Sequence, residues 1–110
     1  MRIEKGQVAV VTGGSSGIGF ALADVLVRRG VDVMIADIRE DAIPVAVDAL
    51  AGKPGHVAGV RADVSVDADI DALADAAVER FGRVDLVCNN AGVVCEQAPT
   101  WSSDRRRGGG

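Results

Sequence analysis

Val8-Ala9-Val10-Val11-Thr12-Gly13-Gly14-Ser15-Ser16-Gly17-Ile18-Gly19 decides how the rest of the chain is read. An unbroken apolar run at 8–11 is what a strand covered on both faces of a parallel sheet requires, because neither face turns to water. A turn with glycine at 13, 17 and 19 follows, and a helical period then begins: Ile18, Ala21, Leu22, Val25 and Leu26 fall at i, i+3, i+4, i+7 and i+8. Gly30, after Arg28 and Arg29, is a natural stop.

On the C-terminal side of that unit the pattern repeats. Asp32-Val33-Met34-Ile35-Ala36-Asp37 reads as a second strand, and Ile43, Ala46, Val47 and Leu50 as a second helix, with Pro44 tolerable only in its first turn. Residues 56–61 form a weaker strand candidate, since Gly59 costs it packing. Ile70, Leu73, Ala74, Ala77, Val78 and Phe81 make an amphipathic helix ended at Gly82. Val84-Asp85-Leu86-Val87-Cys88 is a fourth strand, left through Asn89-Asn90-Ala91-Gly92. Strand and helix thus alternate as β-α-β-α-β-α-β in fewer than 90 residues. The fold class is α/β, a doubly wound parallel sheet with right-handed crossovers, cut after about four strands and three helices. The periodic signal fades after Gly92. Residues 1–101 are expected to form one partial domain, and 102–110, without an apolar residue, a disordered Arg/Gly tail.

Composition narrows the functional classes. The 110 residues are 48% hydrophobic and 25% charged, ordinary for one globular domain. A net charge of −4 offers no general electrostatic footprint for nucleic acid or an anionic membrane. The run Arg105-Arg106-Arg107 precedes three glycines and reads as a solvated tail. No apolar stretch approaches the ~20 residues of a membrane span. Glu4 and Lys5 stand where a signal peptide has its apolar core, so a cytoplasmic chain without membrane or nucleic-acid partners is expected. Cys88 and Cys95 stand seven apart without a C-x-x-C or partnering histidines, which argues against zinc or a redox pair; buried free thiols are the expectation, and no metal site. Tyrosine is absent, which removes any mechanism built on a phenol, and the lysines are Lys5 and Lys53 alone. His56 falls before the third strand, at the edge of the sheet away from the glycine-rich turn, and reads as a surface residue.

The turn from Thr12 to Gly19 joins a strand to a helix, the context in which a glycine pattern carries meaning. Glycine at 13, 17 and 19 permits a tight turn, close approach of backbone N–H groups to a ligand, and close packing of the helix. The helix N-terminus adds unpaired donors and the positive end of its dipole, so a diphosphate is the natural guest. A Walker-type loop is disfavoured because Phe20, not lysine, follows Gly19. Asp37, eighteen positions beyond Gly19, ends the second strand where an acid meets the adenosine ribose. Its carboxylate accepts hydrogen bonds from ribose hydroxyls and repels a 2′-phosphate, so NAD is expected over NADP, although Arg39 could partly rescue a phosphate. Asp63-Val64 ends the third strand at the same edge, close to an adenine ring; Asp63 could equally cap the next helix. Asn89-Asn90-Ala91-Gly92 leaves the fourth strand there too, either as a plain turn or as small residues admitting the cofactor with an asparagine amide tying strand ends together.

Taken together these motifs resemble the short-chain dehydrogenase/reductase family, over about residues 5–101. Thr12-Gly13-x-x-x-Gly17-Ile18-Gly19 matches its cofactor loop, Asp37 its NAD-selecting acid, Asp63-Val64 its adenine-contacting pair, and Asn89-Asn90-Ala91-Gly92 its N-N-A-G. The resemblance implies a Rossmann-type fold and dinucleotide contacts from Gly13, Ser16, Ile18, Asp37, Asp63, Val64, Asn90 and Gly92, beside the loop's Gly17 and Gly19 and the turn's Ala91. It also implies hydride transfer between nicotinamide and an alcohol or carbonyl. The family's chemistry uses an asparagine, a serine and a Tyr-x-x-x-Lys further on, and none has a counterpart here; Ser102 and Ser103 do not fill the serine role. The expectation is an N-terminal fragment without catalytic residues, homo-oligomeric only in a full-length form. A non-catalytic NAD-binding module or a non-functional remnant are the alternatives. If the chain stops here, Val84–Cys88 is left as an unprotected edge strand and the monomer is expected to aggregate.

Overall fold

The computed structural model of the chain describes residues 3–15, 17–63, 67–90 and 94–102. Strand β1 (Val8–Thr12) leads through the glycine-rich turn into α1 (Gly17–Arg28), followed by β2 (Asp32–Asp37), α2 (Ala42–Leu50), β3 (Val57–Arg61), α3 (Asp67–Phe81), β4 (Arg83–Asn89) and β5 (Val94–Ser102). The sheet order is β3-β2-β1-β4-β5. The first four strands are parallel, with Val10 opposite Met34 on one side and Val87 on the other. Their C-terminal ends, Thr12, Asp37, Arg61 and Asn89, therefore lie along one edge.

Both faces of the sheet are covered, which is why β1 and β2 read as continuous apolar runs. Ala9, Val11, Val33 and Ile35 point to a core completed by Ala23, Leu26 and Val27 of α1 and Ala46 and Leu50 of α2. The alternate residues Val10, Met34 and Ala36 point to the other face, against Leu73, Ala77 and Val78 of α3. Two helices on one face and one on the other is the arrangement right-handed crossovers dictate. Each fully buried Val, Leu or Ile contributes about 1.5–3 kcal/mol of transfer free energy, so these clusters hold the sheet together. Pro44 sits in the first turn of α2, where its missing N–H leaves no helical bond unmade. Gly59 weakens β3 as a strand but has a packing purpose, because a Cβ there would overlap Cγ2 of Ile43 from α2.

Strand β4 changes face partway. Val84 packs on the α3 side, whereas Leu86 and Cys88, of the same parity, pack on the α1 side. The ladder to β5 is irregular between Val84 and Leu86. Across this irregularity Asp85 accepts a hydrogen bond from the Val8 N–H at 2.8 Å, a side chain standing in for a ladder carbonyl where β1 meets β4.

Strand β5 is the element that sequence periodicity leaves unmarked. It pairs antiparallel with β4, so β4 is an interior strand and not the unprotected edge expected from the sequence. The ladder shift sets Ala98, Pro99 and Thr100 against Asp85 alone, and a proline that cannot donate is accommodated at such an irregularity. The same pairing overturns the expectation of free thiols. Cys88 is disulfide-bonded, Cys95 is the chain's other cysteine, and the two face each other as ladder partners. Seven positions apart in sequence, they become neighbours because the chain doubles back between them. Ser102, placed in the tail by composition, ends β5; residues 103–110 lie outside the described residues. No helix among the described residues is long and apolar enough to cross a membrane.

Candidate functional site

The strand order reverses direction between β1 and β4, and in an open parallel sheet the crevice beyond the strand ends at that point is where ligands bind. A cavity of about 260 Å³ lies there, lined by Thr12, Gly13, Ala36, Asp37, Ile38, Ala62, Asp63, Asn89 and Asn90. Whole small-molecule sites run to ~300–1,000 Å³, so this cavity suits one end of a dinucleotide.

The turn after β1 is shaped by two glycines. Gly13 adopts φ +63°, a conformation that disfavours side chains, and a Cβ on it would stand 2.9 Å from Nδ2 of Asn90. Its N–H donates to the Ala36 carbonyl at 2.7 Å, tying the turn to the end of β2. A Cβ on Gly19 would overlap the Gly13 carbonyl, so the start of α1 closes directly on the turn. Ile18 beside it is an exposed apolar side chain. The Oγ of Ser15 is buried without a hydrogen-bond partner among the described residues, a polar group at the turn that a bound ligand could satisfy.

On the opposite wall the Thr12 hydroxyl lies 3.4 Å from the Cys88 carbonyl and 3.3 Å from Oδ1 of Asn89, and it accepts the Asn90 N–H at 3.1 Å. The Asn90 amide reaches the Gly13 carbonyl at 3.5 Å. The ends of β1 and β4 are thus held together by Thr12 and Asn90, and the asparagine tie expected from the sequence is present.

Asp37 is the charged centre of the cavity. Its side chain is 4% exposed, and four donors surround it. Oδ1 accepts the Arg39 N–H at 3.0 Å and Arg39 Nε at 3.3 Å. Oδ2 accepts the Ser15 N–H and Arg39 Nη2, each at 3.3 Å. Burial pushes the carboxyl up, but the hydrogen bonds from the Arg39 side chain and from the Arg39 and Ser15 backbone outweigh it, holding Asp37 below the ordinary aspartate range. The carboxylate is therefore ionised at neutral pH, with the Arg39 guanidinium as its counter-charge. The hydrogen bond to Asp37 in turn holds Arg39 above its ordinary value.

Of the residues singled out from sequence, the structure brings Gly13, Asp37, Asp63 and Asn90 together around the cavity. Gly17, Ile18 and Gly19 open α1 and shape the turn without lining it. Ser16, Val64, Ala91 and Gly92 lie outside the described residues. Ala36, Ile38, Ala62 and Asn89 also line the cavity and were not singled out as contacts; the signal for them is position alone, each adjoining an acid or amide at a strand end. His56 lies at the opposite edge, its side chain 76% exposed and paired with Asp32 at 3.2 Å, as read from the sequence. Among the described residues no cluster could hold a metal ion.

The donor set fits a dinucleotide: a buried carboxylate for hydroxyls, a glycine turn at a helix N-terminus for phosphates, and apolar Ile38 and Ala62 for a flat ring. Comparison with known proteins points the same way. A family model described as short chain dehydrogenase matches residues 7–106. A 1-deoxy-11-beta-hydroxypentalenate dehydrogenase of Streptomyces avermitilis is 47% identical over 97 residues, covering 87% of this chain and 36% of that protein. The crystal structure of a short chain dehydrogenase/reductase from Burkholderia phymatum in complex with NAD has a TM-score of 0.73 at 46% identity, over 79% of this chain and 31% of that one. A Pseudomonas aeruginosa RhlG/NADP active-site complex has a TM-score of 0.71 at 34% identity, over 80% of this chain and 36% of that one. The chain spans about a third of the length of the proteins it matches.

Proposed function

Because this chain belongs to the short chain dehydrogenase family, we propose that it holds a nicotinamide dinucleotide along the C-terminal edge of its sheet, with the adenosine ribose on Asp37. The buried, ionised carboxylate of Asp37 is the observation that carries this reading. A ribose diol donates to it, and a charge-assisted hydrogen bond contributes about 1.5–3 kcal/mol. A 2′-phosphate on the same ribose would instead meet the like charge of the Asp37 carboxylate. NAD is therefore the proposed cofactor, with NADP disfavoured. The diphosphate is assigned to the turn from Gly13 through Ser16 to the first residues of α1, Gly17, Ile18 and Gly19. Adenine is assigned to Ile38 and to Asp63 with Val64, and the far side of the cofactor to Asn90, Ala91 and Gly92.

The bound nicotinamide would supply the hydride donor or acceptor for an alcohol–carbonyl interconversion. The 110 residues contain no tyrosine to exchange a proton with the substrate oxygen, so the oxidoreductase activity is proposed for a longer form and cofactor binding for this stretch. Calorimetric titration of the wild-type chain and Asp37→Ala with NAD and NADP tests the assignment. Asp37→Ala is expected to weaken NAD by roughly tenfold to a hundredfold and to improve NADP. Equal affinity of both chains for NAD would contradict the ribose role.

A further inference from the structure

The chain's two cysteines, Cys88 and Cys95, stand opposite each other in the β4–β5 ladder, and the bond at Cys88 joins them. Between them lie residues 89–94, and Asn89 and Asn90 of that stretch line the cavity. Thr12, at the end of β1, meets the same segment at three points. Its hydroxyl lies 3.4 Å from the Cys88 carbonyl and 3.3 Å from Oδ1 of Asn89, and accepts the Asn90 N–H at 3.1 Å. The Asn90 amide then reaches the Gly13 carbonyl at 3.5 Å. One wall of the cavity is thus tied to β1 by hydrogen bonds and to β5 by a covalent bond. Strand β5 lies at the edge of the sheet, paired on one side only, and such a strand opens at lower free-energy cost than the interior ones. Cys88 itself is 1% exposed, so a thiolate reaches the bond by way of β5.

We infer that the bond between Cys88 and Cys95 is a redox switch on the cofactor site: oxidised, it holds Asn89 and Asn90 in the arrangement that receives a dinucleotide, and reduced by a dithiol it lets that wall loosen. The inference rests on the proposed cofactor site and adds its regulation. In the exchange a thiolate of the dithiol attacks one sulfur of the bond, a mixed disulfide forms, and the other cysteine leaves as a thiolate. The second thiol of the dithiol then displaces the first cysteine. Two electrons and two protons pass to the protein, which keeps both cysteines as thiols, and the dithiol becomes a disulfide. Without the covalent tie, the described ladder beyond Cys88 has one further pair, Asn89 with Val94, to hold the end of β5 beside the cavity. Asn89 and Asn90 then gain freedom that a ligand must remove again, and ordering side chains on binding weakens affinity. By linkage the coupling runs both ways: a cofactor that prefers the oxidised chain makes the bond harder to reduce by the same factor.

Calorimetric titration of the full chain with NAD, before and after reduction with dithiothreitol, tests the switch, with circular dichroism following the fold. Reduction is expected to weaken NAD about three- to tenfold, the cost of ordering roughly one side chain again. Cys95→Ser should bind NAD as the reduced chain does and ignore dithiothreitol. A reciprocal measurement needs no variant. In dithiothreitol redox buffers the midpoint of reduction should move about 15–30 mV more negative at saturating NAD, which is that fold-change for a two-electron couple. Equal NAD affinity in both redox states, or an unmoved midpoint, would overturn the inference and leave the cofactor site standing, as would tighter binding after reduction. Loss of the fold on reduction would also overturn it, making the bond structural only. Failure of both states to bind NAD would instead remove the cofactor site, and the switch with it.

Discussion

Gly13 and Asn90 meet across the junction of β1 and β4, so closely that a Cβ on Gly13 would stand 2.9 Å from the Asn90 amide nitrogen. The glycine's φ of +63° adds a second, independent barrier to any side chain. Gly17 shares the conformation, at φ +61°, but a Cβ there meets nothing within 4 Å. The pair separates conformational strain from crowding. Gly17→Ala is expected to cost about 1–2 kcal/mol of stability. Gly13→Ala should cost more, by about 1–3 kcal/mol of overpacking. Urea midpoints of the two variants measure the difference, and equal losses would mean that Asn90 gives way freely.

The packing of α2 on β3 supports a second prediction. Gly59→Ala forces a methyl into Cγ2 of Ile43 and is expected to destabilise the chain by about 1–3 kcal/mol. Ile43→Leu takes the branch away from Cβ at nearly constant volume. In a double-mutant cycle the two substitutions together should cost less than the sum of each alone; strict additivity would show that the contact does not govern the fit.

Acid stability should report on Asp37. Its folded pKa is lowered, so the ionised form stabilises the fold above the unfolded value. That contribution is complete at neutral pH and is lost as pH falls through about 4 and then through the lowered folded value. Urea unfolding between pH 7 and pH 2.5 should show wild type losing more stability on acidification than Asp37→Asn. Parallel pH profiles would remove Asp37 as a source of acid lability.

The bond at Cys88 gives β5 a covalent hold on β4. Closing the short loop between Cys88 and Cys95 is worth about 2.5 kcal/mol in the loop-entropy model. Reduction, or Cys88→Ser, is expected to lower thermal stability by up to that amount. Thiol titration of the denatured chain should find two groups after reduction and none before. Two thiols before reduction would contradict the pairing.

Much of this architecture is legible in the sequence, and the exceptions have physical causes. The continuous apolar runs of β1 and β2 and the 3.6-residue periods of α2 and α3 report burial directly, and burial is local information. In α1 the period marks the helix but not its buried face, since Ile18 and Val25 are exposed and Gly19, Ala23, Leu26 and Val27 are buried. Strand β5 was not legible, because pairing across one exposed edge imposes no periodicity on Val94–Ser102, and Pro99 argues against a strand until the irregular ladder is seen. The Cys88 disulfide depends on that same pairing and disappears with it. At the site, Gly13, Asp37, Asp63 and Asn90 were readable from their positions at strand ends. The saturation of Asp37 by Arg39 and the Ser15 N–H was not, since it depends on where two side-chain nitrogens lie and not on which residues are present.

Amide NMR of the wild-type chain titrated with NAD tests the proposed site most directly, with the adenosine ribose on Asp37, adenine beside Ile38 and the far side of the cofactor at Asn90. The account predicts saturable shifts concentrated at Gly13, Ser15, Asp37, Ile38 and Asn90, with His56 and Asp32 at the opposite edge unmoved. Saturable shifts elsewhere, or none at millimolar NAD, would contradict it.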